Sequence, residues 1–139
     1  MEKMDVIGIA RELGRQLQQE EVYINYSLAK QAADEDEELQ SLISEFNDIR
    51  VKASGETEKP VEDRDQEKVR KLNDDMRKVY AKIMTNERMI QYNDTKDALD
   101  FVLQRITAII EKSSMGEDPD TADYEASCSG NCSACGGCG

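Results

Sequence analysis

Cys128, Cys132, Cys135 and Cys138 form the pattern C-x3-C-x2-C-x2-C, and the chain contains no other cysteine. The residues between them are Ser, Gly, Asn and Ala, small enough for a short loop to wrap one inorganic centre and turn backbone N–H groups toward sulfur. Disulfides would close loops of only a few residues inside this run and would constrain little. Zinc, or another thiophilic metal such as copper(I), accepts four thiolates, but zinc sites usually separate two Cys pairs by a longer spacer than this run holds. A [4Fe–4S] cluster suits the spacing better, because ferredoxin-type runs combine C-x2-C and C-x3-C steps and reach several corner irons from one loop. An unliganded, redox-sensing tail is a further reading. The first three cysteines also match radical-SAM spacing, yet nothing in the chain promises the β/α barrel that would hold S-adenosylmethionine. The expected ligand set for cofactor or metal is therefore Cys128, Cys132, Cys135 and Cys138, with a [4Fe–4S] cluster expected and zinc as the alternative.

The rest of the composition narrows what else the chain can do. It has 139 residues and no histidine, which removes the commonest general base and the imidazole ligand, and with them most hydrolase triads and catalytic zinc sites. Autonomous catalysis is not expected. The formal net charge is −12, and from Gly116 onward the chain carries acids but no Lys or Arg, so direct binding of nucleic acid is not expected either. The opening Met1-Glu2-Lys3-Met4-Asp5 lacks the basic and apolar regions of a signal peptide, and no run is long enough to span a bilayer. A cytoplasmic setting is expected, in which cysteines are thiolates or metal ligands rather than structural disulfides.

The elements that must carry this tail read as helices. Hydrophobic residues make up 38% of the chain and charged residues 35%, with no Trp and two Pro, a balance that favours slender helices over a thick sandwich. Val6, Ile9, Leu13 and Leu17 line one face of a first helix from about Asp5 to Gln18, with Asp5 as N-cap. A second amphipathic stretch holds Val22, Tyr23, Tyr26, Ala29 and Ala33 and ends in the acidic run Asp34 to Glu38, where Asp34 and Glu37 have capping-box spacing for a third helix. Leu39, Leu42, Phe46, Ile49 and Ala53 then recur at steps of 3, 4, 3 and 4, a heptad-type stripe expected to stop near Gly55. The polar segment Ser54 to Pro60 reads as a turn. Val69, Leu72, Met76, Val79 and Ile83 repeat the same steps beyond it, so the two stripes predict an antiparallel pair. Thr85-Asn86 breaks the fourth helix and caps a fifth, whose apolar face includes Ile90, Leu99, Val102, Leu103, Ile106, Ile109 and Ile110 and which closes at Glu111-Lys112.

The expected fold is thus all-α: an antiparallel helical hairpin or bundle with short flanking N-terminal helices and a flexible Cys-rich C-terminal tail. The expected organisation is a helical body over residues 1–112, an acidic flexible linker over 113–127, and the four-Cys tail over 128–139. A body this small with heptad stripes is expected to form a homo-dimer or a hetero-complex. Tyr23, Tyr26, Tyr80 and Tyr92 read as core-edge residues rather than a binding surface, and Met76, Met84 and Met89 as gap-fillers. The acidic run Asp34 to Glu38 reads as a solvated helix start.

Three stretches carry a resemblance to a known family: Val6-Ile7-Gly8-Ile9-Ala10-Arg11-Glu12-Leu13-Gly14, Tyr26-Ser27-Leu28-Ala29-Lys30-Gln31-Ala32-Ala33-Asp34, and Ile83-Met84-Thr85-Asn86-Glu87-Arg88-Met89-Ile90-Gln91-Tyr92. Over about residues 4–112 the chain resembles the YlbF/YmcA family of small bacterial helical proteins, with the cysteine tail outside the common body. The resemblance implies a helical hairpin that self-associates or pairs with related subunits. It also implies a regulator of competence, biofilm formation and sporulation without catalysis of its own, acting with YmcA- and YaaT-type subunits on RNA processing by an endoribonuclease. Cysteines of that complex ligate [4Fe–4S] clusters. The function expected is a non-enzymatic regulatory adaptor with a cluster-binding tail; the alternative is a metal or iron–sulfur cluster carrier or redox sensor.

Overall fold

A computed structural model describes residues 4–126. Among them the chain forms helices only, in the order α1 (Val6–Leu17), α2 (Glu21–Glu35), α3 (Glu37–Thr57), a 3₁₀ turn (Val61–Asp63), α4 (Gln66–Thr85) and α5 (Glu87–Ser114). The expected all-α architecture is what the structure shows. The described residues fall into two compact units that divide α5 between Ala98 and Leu99.

Four of the five α-helices among the described residues open on a side-chain cap, and α2, which starts after Glu20, has none. Asp5 Oδ1 accepts the Gly8 N–H at 2.7 Å and opens α1. Asp36 Oδ1 accepts the Leu39 N–H at 2.9 Å and opens α3. The expected capping box of Asp34 and Glu37 is therefore corrected: Asp34 lies inside α2, and Asp36 is the residue whose extended backbone (φ −78°, ψ 108°) separates the two helices. Asp65 Oδ1 accepts from Lys68 N at 3.1 Å at the start of α4. Asn86 Oδ1 accepts from Arg88 N and Met89 N at 2.9 and 3.2 Å, so Asn86 does cap α5 as its position suggested. Such caps satisfy amide groups that the first helical turn leaves without partners.

The core of the first unit is the α3–α4 pair with α2 laid on α3. Ala33, Leu39, Val79 and Ile83 form its buried centre, and Leu42, Ile43, Phe46, Ile49, Met89 and Tyr92 pack around them. Leu39 is only 1% exposed. The stripes Leu39 to Ala53 and Val69 to Ile83 thus face each other across the hairpin, as two matched heptad seams joined by one turn must. Phe46 and Tyr80 rings meet at 6.2 Å and Tyr26 and Tyr92 at 5.7 Å, both tilted, which places these tyrosines at the edge of the core.

The helix α3 does not stop near Gly55 but runs two residues further to Thr57. Glycine inside a helix costs about 1 kcal/mol relative to Ala, and the next residue supplies the compensation. Glu56 is 3% exposed and sits three positions after Ala53, so it occupies the next core position of the stripe. Its carboxylate accepts the Asp65 N–H and the Lys59 ammonium, at 2.8 and 2.9 Å. Those bonds hold the turn between α3 and α4 in place.

In the second unit, α5 ends in a glycine-terminated cap. Gly116 has φ +90°, a conformation that favours glycine; its N–H donates to the Ser113 carbonyl and the Glu117 N–H to the Lys112 carbonyl, each at 3.1 Å. This pair of bonds is the Schellman motif.

Candidate functional site

Two features stand out as able to engage something beyond the fold. One is α1. No residue of this helix is buried; Val6 is 79% exposed and Ile7, Ile9 and Leu13 are exposed with it. Arg15 and Glu12 pair at 2.8 Å on its polar side. A helix of 12 residues is marginal on its own in water, and its stability ordinarily comes from packing of the apolar face. In α2, Ile24 and Leu28, one helical turn apart, are exposed as well. Of the stripe that the sequence places on one face of this helix, Val6, Ile9 and Leu13 are exposed and Leu17 is half-buried.

The other feature is the segment that leads to the cysteines. After Gly116 the chain makes a turn at Asp118, whose carbonyl accepts Thr121 N–H and Ala122 N–H at 3.2 and 3.0 Å and whose side chain accepts Asp120 N–H at 2.9 Å. The following residues lie against α5. Arg105 Nε and Nη2 donate to Asp123 Oδ1 and Oδ2 at 3.0 and 2.8 Å. The Phe101 and Tyr124 rings meet edge to face at 6.2 Å, and Lys112 Nζ lies 3.5 Å from Glu125 Oε1. The two-pronged Arg105 bond, joined by the Tyr124 backbone N–H at 2.7 Å, holds the Asp123 carboxyl down at about 2, and Asp123 in turn raises Arg105. Both side chains remain about half exposed, so water screens the pair and its contribution to stability is small.

Cys128, Cys132, Cys135 and Cys138 lie outside the described residues. As a donor set, four thiolates suit either an iron–sulfur cluster or zinc. Among the described residues no group of His, Cys, Asp or Glu is arranged to hold a metal ion. The acidic run Asp34 to Glu38 serves the α2–α3 junction, through Asp36.

Sequence reasoning missed two residues that organise these regions. Glu56 could have been found, since it continues the 3-4-3-4 stripe by one more step of 3. Asp123 could not, because its partner Arg105 is 18 residues away across the point where apolar periodicity ends.

The class these observations define is a small helical-hairpin protein with an uncovered amphipathic helix at one end of the chain and a thiol-rich segment at the other. The chain belongs to the Com_YlbF family, described as control of competence regulator ComK, YlbF/YmcA, which it matches over residues 6–113. That span takes in all of α1 to α4 and all but the last residue of α5. No curated protein and no solved structure matches the chain.

Proposed function

We propose that this protein is a non-enzymatic regulatory adaptor of the competence-control type, which docks protein partners through its helical body and holds an iron–sulfur cluster in its tail. The observation that carries the adaptor reading is α1, an amphipathic helix with an exposed Val6, Ile7, Ile9 and Leu13 face and nothing buried. Membership of a family of competence regulators supports it. Among the described residues no helix is long and apolar enough to cross a membrane, which agrees with a cytoplasmic site of action. The resemblance to YlbF/YmcA proteins points to YmcA- and YaaT-type subunits as partners and to an influence on RNA processing.

The substitutions Val6→Asp and Ile9→Asp test the docking role. Because no side chain of α1 is buried, both variants should keep the helical circular dichroism of the parent protein. Both should lose co-purification with YmcA- and YaaT-type subunits expressed alongside. A complex that survives both substitutions would remove α1 from the interface.

A second reading rests on the crowding of all four cysteines into twelve residues, which also suits a cluster carrier. Retention of the cluster during partner binding separates the adaptor from a carrier, which would hand it to an apo-acceptor.

A further inference from the structure

We propose that the face of α5 carrying Phe101, Arg105 and Lys112 is a docking site for a partner's acidic-aromatic-acidic peptide segment, and that the chain's own Asp123-Tyr124-Glu125 occupies it as an internal stand-in. Every residue of this site lies in the second unit, so it is separate from the α1 face.

Helical register brings the three receiving residues together. Phe101, Arg105 and Lys112 follow one another at steps of 4 and 7, which places them along one side of the helix. Two cations and an aromatic ring on one side make a receptive surface for acids flanking an aromatic residue. Three consecutive residues of the returning chain each take one of them. Asp123 accepts two bonds from Arg105, at 3.0 and 2.8 Å. The Tyr124 ring meets Phe101 edge to face, and Glu125 lies 3.5 Å from the Lys112 ammonium. The two-pronged Arg105–Asp123 clasp fixes orientation as well as distance, and arginine reading an acidic motif is a recurring mode of peptide recognition.

Two observations mark the internal segment as a replaceable occupant. The first is how loosely it is held. The Arg105 and Asp123 side chains are 52% and 41% exposed and that of Glu125 is 83% exposed, so water screens both pairs and they add little to stability. The second is that it underfills the site. A shallow groove of about 430 Å³ remains alongside Tyr124, lined by Leu103, Gln104, Thr107 and Ala108 with Asp100 and Glu111 at its edges. Leu103 is still 40% exposed there. A partner segment with an apolar side chain beside its own acidic-aromatic-acidic run would bury that surface, a gain the internal segment does not make.

The tether sets the terms of the competition. Gly116, with its positive φ, and the Asp118 turn route the chain back along α5, and a short tether of this kind acts at about millimolar effective concentration. A partner therefore meets a site that is mostly closed, and its apparent affinity falls by the fraction that is open.

The test empties the site and offers the same chemistry in trans. Full-length, metal-free, ¹⁵N-labelled protein carrying Asp123→Asn and Tyr124→Ala is titrated with a synthetic peptide of the sequence of residues 118–126, and amide shifts over 101–112 are followed by NMR. The emptied chain should keep the parent's helical circular dichroism, because the substitutions lie beyond the last helix. It should bind the peptide about tenfold more tightly than the parent, the change expected when a site that is closed about nine-tenths of the time is freed. Adding Arg105→Glu to the emptied chain should abolish the shifts, as should a peptide with Ala in place of its Tyr.

No saturable binding to the emptied chain, or binding that Arg105→Glu leaves unchanged, would overturn the proposal. Equal affinity of the parent and the emptied chain would overturn it as well, since the internal segment would then not be competing for the site.

Discussion

Glu56 Oε1 accepts the backbone N–H of Asp65 at 2.8 Å, reaching from the last turn of α3 to the cap residue of α4. Asp65 meanwhile caps Lys68 N with its own side chain, so one carboxylate aligns the residue that starts the next helix. The Asp65 N–H and then the Lys59 ammonium lower the pKa of Glu56, with Lys68 adding to the effect at 3.7 Å. A carboxyl depressed in the folded state stabilises the fold fully above its unfolded pKa, and the contribution is lost as pH falls through the lower, folded value. Melting temperature of the parent protein should therefore drop as pH is taken below about 4.5. Glu56→Gln should lower it at neutral pH and reduce that acid dependence, since the amide cannot ionise and holds the lysines less strongly. Thermal melts of both proteins from pH 7 to pH 3 check this; parallel curves would assign the acid loss to other carboxylates.

Leu39 is the most enclosed large side chain of the described residues, at the point where α2, α3 and α4 meet. Truncating it leaves a cavity that a thin helical core fills poorly. Leu39→Ala should cost about 2–5 kcal/mol, whereas Val51→Ala, on the exposed side of the same helix, should stay within about 0.5 kcal/mol of the parent. Urea denaturation followed by circular dichroism measures both. A small loss at Leu39 would mean that the hairpin seam is not the centre of the folding energy.

The junction between α2 and α3 distinguishes two aspartates by geometry. Asp36 Oδ1 bonds Leu39 N, whereas Asp34 lies within α2. Asp36→Ala should lower stability by about 1 kcal/mol through loss of the cap. Asp34→Ala should be close to neutral, because alanine is favoured inside a helix. The same denaturation series settles which residue starts α3, and equal losses from both substitutions would point to general acidic charge at the junction instead.

The helices were legible because their periodicity is strong. Val69 to Ile83 and Leu39 to Ala53 give the same seam from both sides, and Asn86 is a recognisable break. The ends were less so: Asp34, Asp36 and Glu37 all have capping chemistry, and only backbone direction decides among them. Gly55 reads as a stop, yet the hydrogen bonds of the next residue carry the helix past it. The α1 stripe shows a limit of pattern reading, since Val6, Ile9 and Leu13 predict an apolar face without saying whether this chain covers it. Beyond Lys112 the composition signalled loss of periodicity, but the return of Asp123 to Arg105 depends on a turn and a long-range pair with no periodic signature. The cysteines are legible by spacing alone, and they lie outside the described residues.

Anaerobic reconstitution with iron and sulfide should give an oxygen-sensitive cluster held by Cys132, Cys135, Cys138 and Cys128. Thiolate is the usual protein ligand of such clusters, and the Gly and Ser spacers let the chain turn around a metal centre without steric conflict. The residues just before the tail, Glu117, Asp118, Asp120, Asp123 and Glu125, are acidic. Negative charge near a cluster opposes adding an electron, so the potential should be low and should rise with ionic strength as the charge is screened. Cys132→Ser or Cys135→Ser should abolish the visible charge-transfer absorption. Helical circular dichroism should persist in both variants, because every helix described here ends by Ser114 and contains no cysteine. A truncation after Ala126 should likewise keep the parent's melting temperature, since it retains the Gly116 cap and the Arg105–Asp123 clasp. A protein that reconstitutes with zinc but takes up neither iron nor sulfide, or serine variants that keep the full spectrum, would show the iron–sulfur assignment to be wrong.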